Sequence, residues 1–373
     1  MKILLTNFHD GDGGGHTTYL TSLARGLAPH HRLCVAAPDG SRLLREARGI
    51  PGVTALAQAF PNGLGRLRAI RRARAALAAH LRAEAYDLIH VNGSADHRLV
   101  LAALSGLSPR PALVLTKHNS KPVQGIGHWW RARRTDQVIA VSDYTRRALA
   151  TTAYARCRIA TVHNGIDTRY YAPWPEEQGH ALRDTTFPNA PTLVLGSNAG
   201  TADYKGWMDL VEAVALLPDD QRARVRVLLA GRPPSAASVA RIDALGLRDQ
   251  VVFAGLLDDV RPKIAAIDVG FVLSWDVETI SFACREMMAM GKPVLVSDYA
   301  GLPENIRPGV DGWVTPVRDV PRIAAALQTM LEHRASLPTM GAAARAHALE
   351  AFGLERFVGR TEAVYRQLLA ERS

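Results

Sequence analysis

The chain alternates, twice over, between short apolar runs of strand length and longer stretches of helical period. That alternation is the pattern of βαβ units and predicts doubly wound parallel sheets. The first series runs KILLTNF (2–8), a helix over 16–29, RLCVAAP (32–38), a helix over 64–85 and YDLIHVNG (86–93). It continues with ALVLTKH (112–118), QVIAVS (137–142), a short helix over 143–150 and RIATVHNGID (158–167). Residues 172–191, APWPEEQGHALRDTTFPNAP, hold several prolines and no periodicity, and read as a connector. The second series is TLVLGS (192–197), a helix over 208–217, VRVLLAG (225–231), a helix over 238–247, VVFAG (251–255) and DVGFVLS (268–274). At 373 residues the chain is too long for one ordinary core and suits two domains. The expected division is 1–171, the connector, and 192–355, with an amphipathic closing segment over 356–373.

Composition narrows the class. Hydrophobic residues make up 47% of the chain, which excludes a largely disordered protein. Cys34, Cys157 and Cys284 are widely spaced, with no disulfide framework or zinc spacing, which suggests a reducing, cytoplasmic setting. MKILLTNF reads as a first strand rather than a signal peptide. There is no run of about 18 apolar residues, so no membrane span is expected. The net charge of +10 suits an anionic partner such as a nucleotide sugar, an anionic lipid surface or a nucleic acid.

The chemistry concentrates in VETISFACREMMAMGKPVLVSD. Glu278 falls in a loop at the end of a strand, FVLSW (271–275). Glu286 falls in the helix over 281–290, which stops at Gly291 and Pro293. Eight residues of helical rise span roughly 12 Å, the scale of a nucleotide diphosphate sugar. The helix begins between the acids, near Ser281 and Phe282, where free backbone amides favour a diphosphate. One acid could hold sugar hydroxyls and the other ribose hydroxyls; two solvated glutamates flanking a helix is the plainer reading.

Other motifs lie at strand ends. Lys205, in DYKGW, starts a helix, as a diphosphate ligand or as an ordinary surface lysine. GDGGGH places Gly13, Gly14 and Gly15 where the backbone could approach a phosphate or sugar. It is not a dinucleotide fingerprint, because His16 stands where the third glycine belongs, and only Asp39 could serve as a ribose ligand. His118 ends a strand, where open α/β sheets bind ligands. HNGID (163–167) reads as a turn with positive φ at Gly165. Over 64–85, Arg68, Arg71, Arg72 and Arg82 share a sector of about 100°, beside an apolar stripe of Leu67, Ile70, Leu77 and Leu81. That helix is either core-packed with a solvated basic face or a face that docks on anionic lipid. HWWRARR (128–134) adds aromatics beside arginines.

The Glu, seven residues, Glu, small-residue helix and GKPV strand resemble the donor site of GT-B glycosyltransferases, in particular the retaining family 4. GKPVLVSDYAGLPENIRPGVDGWVTP continues the match, as do HNGID and the KG–helix element at Lys205. The family often has Gly after the first Glu; Thr279 here implies a stiffer loop.

The resemblance implies two Rossmann-like domains facing a central cleft, with 356–373 packing back on the first. It implies a retaining transfer from a nucleotide diphosphate sugar to a glycan or lipid-linked acceptor. The expected catalytic residues are Glu278, Lys205 and His118. Glu286, Phe253, Ser281 and Phe282 are expected on the donor, Phe253 through a strand whose backbone lies against the base. Ser197 and Asn198 stand where the family places an arginine, so a hydroxyl or amide donor substitutes there, or Arg232 supplies the charge. Gly13, Gly14, Gly15, His16, Lys117 and Asn119, with Lys121, are expected on the acceptor or phosphate side. Neither Asp258 with Asp259 nor Asp219 with Asp220 makes a compelling metal motif, so no metal or other cofactor is expected. The setting implied is lipopolysaccharide or surface-polysaccharide assembly, in the cytoplasm or at the inner membrane face, with no nucleic acid as partner. The rivals are another nucleotide-sugar enzyme, an epimerase or a phosphorylase, and a non-enzymatic basic protein that binds anionic lipid or nucleic acid.

Overall fold

The computed structural model describes residues 1–187 and 192–372. The chain folds as two units, Met1–Gly165 with the chain from Leu354 onward, and Ile166–Gly353. The first holds seven strands: β1 (Lys2–Thr6), β2 (Arg32–Ala37), β3 (Val53–Ala57), β4 (Leu88–Val91), β5 (Ala112–Lys117), β6 (Gln137–Ala140) and β7 (Arg158–Thr161). They form one parallel sheet in the order β3-β2-β1-β4-β5-β6-β7. The second holds β8 (Leu193–Ser197), β9 (Val225–Ala230), β10 (Val251–Gly255), β11 (Val269–Val272), β12 (Val294–Ser297) and β13 (Gly312–Thr315). Their order is β10-β9-β8-β11-β12-β13, again parallel. Both units are thus doubly wound, as the alternation predicts.

The central strands are continuous apolar runs because helices cover both faces of each sheet. Every residue of β4, β6, β11 and β12 is buried. Each sheet reverses its winding direction once, between β1 and β4 and between β8 and β11. Open α/β sheets bind ligands outside the carboxyl ends of the strands at such reversals.

Three expectations need correction. The stretch 172–191 is not a plain connector: it carries the helix Glu176–Thr186, which packs against the helix Arg261–Ala265 of the second unit. Residues 188–191 lie outside the described residues. The division between the units falls at 165–166 rather than after 171, because the Ile166 amide donates to the Phe352 carbonyl and Ile166 bridges to Gly353. Gly165 does not take the positive φ expected of it. It is required for a different reason: a Cβ there would sit 2.6 Å from Phe357 Cβ.

The closing helix, Leu354–Ala370, belongs to the first unit and packs on the helix Gly14–Leu27. A Cβ at Gly26 would lie 2.3 Å from Val358 Cγ2, so that contact needs a glycine. Phe357, Tyr365 and Leu368 are buried along its inner face. Among the described residues no helix is long and apolar enough to cross a membrane.

Candidate active site

In the second unit Ser197, Asn198, Lys205, Glu278 and Glu286 gather beyond the carboxyl ends of β8 and β11, while Arg232 follows β9 and Phe253 lies on β10. Lys205 closes a short 3-10 turn, Asp203–Lys205, and Gly206 follows with φ 69°. A Cβ at Gly206 would meet the Leu273 carbonyl at 2.0 Å, so only glycine lets this turn press against the end of β11. That approach brings Lys205 Nζ within 2.8 Å of Glu278 Oε2. The pair is largely screened from solvent, with side-chain exposures of 17% and 11%. The Glu278 loop is held in costly backbone geometry: Val277 has φ 50° and Ser281 φ 35°. Left-handed backbone at a β-branched residue is a local strain of the kind that collects at functional sites. The loop strain therefore sits on either side of Thr279, and the Thr279 amide donates to Glu278 Oε1 at 3.1 Å.

Ser281 caps the helix Phe282–Ala289, accepting from the Cys284 amide at 3.4 Å. Glu286 lies on that helix. Its carboxylate accepts from Asn198 Nδ2 at 2.6 Å and from the Tyr171 phenol. Burial pushes the Glu286 carboxyl above its ordinary value, and the hydrogen bonds from Asn198 and Tyr171 oppose that rise. Asn198 thus orients the Glu286 carboxylate. Ser197 Oγ accepts from the Ala199 amide at 3.2 Å and shapes the same turn. Arg232 follows β9 with an exposed side chain, while its carbonyl accepts from Thr201 Oγ1. The ring of Phe253 packs edge-on against Trp207 at 5.7 Å and is half-buried. Tyr171 was not foreseen. It lies just beyond the HNGID motif, and no spacing links it to Glu286.

The first unit builds a different site at its own reversal. Gly13 and Gly14 take φ values of 69° and 48°, and the helix Gly14–Leu27 starts there, with Gly15 and His16 in its first turn. The rings of His16 and His118 lie 4.2 Å apart, and His9 lies 4.7 Å from His16. Burial, then the neighbouring His9 and Lys117 charges, push His16 down to about 3, and His118 is held well below its ordinary value chiefly by burial. These imidazoles are neutral at pH 7. His118 Nε2 lies 2.8 Å from Asn92 Oδ1, and Asn92 Nδ2 donates to the Thr6 carbonyl at 3.1 Å. The His118 ring therefore presents Nε2 as a donor to the amide oxygen. Asn7, fully buried after β1, has no partner for either amide atom among the described residues. Asp96 is also fully buried; it accepts from Thr6 Oγ1 and the Asn92 amide, and burial raises its carboxyl to about 7. Asn7, His9, Asn92 and Asp96 were not foreseen, although Asn7 and Asn92 follow strand patterns as His118 does. Lys117 and Asn119 line a cavity of about 340 Å³ with Lys121, and burial, with Lys121 nearby, lowers Lys117 to about 8.

Residues 13–170 match the family model described as Glycosyltransferase Family 4, and residues 190–333 match that of Glycosyl transferases group 1. The chain belongs to the family 4 glycosyltransferases. This glycosyltransferase is similar to N-acetyl-alpha-D-glucosaminyl L-malate synthase of Bacillus anthracis, with 26% identity over 297 residues covering 77% of this chain and 76% of the relative. It is 32% identical over 143 residues to the lipopolysaccharide core biosynthesis glycosyltransferase LpsE of Rhizobium meliloti, covering 38% of this chain and 40% of that protein. Its fold superposes on the crystal structure of Anabaena Alr3699/HepE in complex with UDP and glucose, with a TM-score of 0.78, 21% identity and coverage of 98% and 99%. The two parallel sheets are those of the GT-B fold.

Proposed function

We propose that this glycosyltransferase is a retaining enzyme. It moves a sugar from a nucleotide diphosphate sugar to a glycan or lipid-linked acceptor in lipopolysaccharide or surface-polysaccharide assembly, without a metal. The observation that carries the reading is the second unit's pair of ties, Lys205 to Glu278 and Asn198 with Tyr171 to Glu286. Both lie beside a capped helix start, where free amides favour a diphosphate. UDP in the Anabaena protein and the core-glycan role of LpsE support the donor class and the setting.

In this reading Lys205 turns from Glu278 to the diphosphate and offsets charge as the leaving group departs. Glu278 positions the sugar and Glu286 the ribose. Arg232 adds charge near the diphosphate, and the β10 backbone at Phe253 flanks the base. The bond between the anomeric carbon and the diphosphate oxygen breaks. A new bond forms to the acceptor hydroxyl on the same face, and the hydroxyl proton leaves with the nucleoside diphosphate. In the first unit His118 serves sugar hydroxyls as a neutral hydrogen-bonding group. His16, the Gly13–Gly15 turn, Lys117 and Asn119 receive the acceptor. The setting is the cytoplasm, at the inner face of the membrane.

The test pairs a panel of nucleotide sugars with short glycan and lipid-linked acceptors. One donor is expected to release its diphosphate only with an acceptor, and proton NMR of the product is expected to show the donor's anomeric configuration. An inverted product would refute retention. Absence of transfer with every donor, together with binding of none, would refute the site.

A further inference from the structure

We propose that a cavity at the amino ends of β11 and β12 binds a small phosphate monoester, and that Arg345 carries its occupancy to Glu286 and Tyr171. The cavity lies wholly within the second unit and has a volume of about 880 Å³, the scale of a small-molecule site. Its walls include residues 265–268, which lead into β11, and 290–292, which lead into β12. Glu278 and Glu286 serve the opposite ends of the same sheet.

The lining holds more positive charge than it neutralises. Arg183, Lys292, Arg334 and Arg345 line it together with one described carboxylate, Asp268. That carboxylate is already engaged: it accepts from Arg183 Nη1 and from the Val194 amide, both at 2.7 Å. Among the described residues no carboxylate pairs with Arg334 or Arg345. Burial lowers the Arg345 guanidinium below its ordinary value, and what offsets that cost is a pair of carbonyls rather than an anion. The helix Leu337–Phe352 starts in the same wall, so the positive end of its dipole adds to these charges. Half-buried Trp174 supplies an apolar face. A phosphate brings a charge of about −2 and several acceptor oxygens, which answers the cations. The carbon part of an ester answers the indole and the volume, which a bare phosphate ion would leave unfilled.

Arg345 links this cavity to the far end of the sheet. Its Nη1 donates to the Ala289 carbonyl at 2.6 Å and to the Tyr171 carbonyl at 2.8 Å. Ala289 ends the helix that carries Glu286, so the guanidinium caps the negative end of that helix. Tyr171 is the residue whose phenol donates to Glu286. One guanidinium thus secures both the helix beneath Glu286 and the backbone behind Tyr171. A phosphate in the cavity competes with these two carbonyls for Arg345. Its binding therefore loosens the Glu286 tie and weakens donor binding. The effect on the donor rests on the role proposed for Glu286; the cavity itself does not.

The experiment titrates the full chain with ribose 5-phosphate, inorganic phosphate and ribose by calorimetry, and follows backbone hydrogen exchange. Ribose 5-phosphate is expected to bind at one site, inorganic phosphate at least about tenfold more weakly, and ribose not at all. Arg334→Glu, at an exposed position, is expected to weaken the ester by about tenfold or more with far-UV circular dichroism unchanged. Trp174→Leu is expected to weaken the ester and leave inorganic phosphate as it was. Lys205→Ala, at the other end of the sheet, is expected to leave both unchanged. At saturating ester, exchange at 286–291 is expected to quicken in the wild type and not in Arg345→Gln. No binding, equal affinity for inorganic phosphate and the ester, undiminished binding to Arg334→Glu, loss of binding in Lys205→Ala, or unchanged exchange at 286–291 would overturn the proposal. Quickened exchange with donor affinity unchanged would support the cavity and Arg345, and count against the donor role of Glu286.

Discussion

The two units share one topology and differ in what they place at its reversal. At β8 and β11 the groups are ionic and tied to one another: Lys205 to Glu278, and Glu286 to Asn198 and Tyr171. At β1 and β4 the rings are neutral: His9, His16 and His118 are depressed by burial, with Asn7 and Asn92 as amides beside them. A parallel sheet supplies the place, and the residues at the strand ends decide the chemistry. The ionic site suits a diphosphate that must be neutralised. The neutral site suits hydroxyl groups that must be oriented without being charged. The mutations that follow set one site against the other.

Lys205→Ala carries the largest expected effect. In the proposed reaction it removes a charge that acts as the leaving group develops, so kcat should fall about 10²–10³-fold, with donor affinity little changed. An unchanged kcat would move the charge to Arg232. Glu286→Ala should come next. It leaves Asn198 and Tyr171 without their shared acceptor, and donor affinity measured by calorimetry should fall about ten- to a hundredfold. His118→Ala should spare donor affinity and raise the acceptor KM. Equal losses on both substrates would erase the contrast between the sites.

Asp96→Asn is the mildest change and reports on protonation. The folded carboxyl is raised to about 7 from 3.8, so its contribution to stability is full below pH 3.8 and is lost as pH rises through about 7. Asparagine stays neutral throughout. Urea unfolding from pH 4 to 8 should therefore show a flatter profile in the variant, by up to about 1.4 kcal/mol per pH unit.

Much of this contrast was legible in the sequence, for physical reasons that vary by element. Fully buried strands such as VGFV and VLVS announce themselves as apolar runs, and Glu278, Glu286 and Lys205 announce themselves by spacing. The strand β3, VTALA, did not, because an edge strand with mostly part-buried residues lacks a strong pattern. The helix Glu176–Thr186 did not, because its polar composition mimics a linker and only packing against Arg261–Ala265 orders it. Tyr171 and Asn198 reach Glu286 across long sequence separations that no local motif encodes. The neutral site was the least legible. His118 stood out through its strand end, whereas the buried Asn7 and Asp96 acquire meaning only from neighbours the fold brings to them.

On the proposed reading a nucleotide diphosphate sugar binds at the ionic reversal in the second unit. That binding is tested most directly by hydrogen exchange with and without UDP, GDP and ADP and their sugars, on the wild type and on Glu286→Ala. Protection is expected at residues 197–206 and 278–287 with one nucleotide class, absent in the variant, and none at 7–18. Protection centred on 7–18, or protection in the second unit that survives Glu286→Ala undiminished, would contradict it.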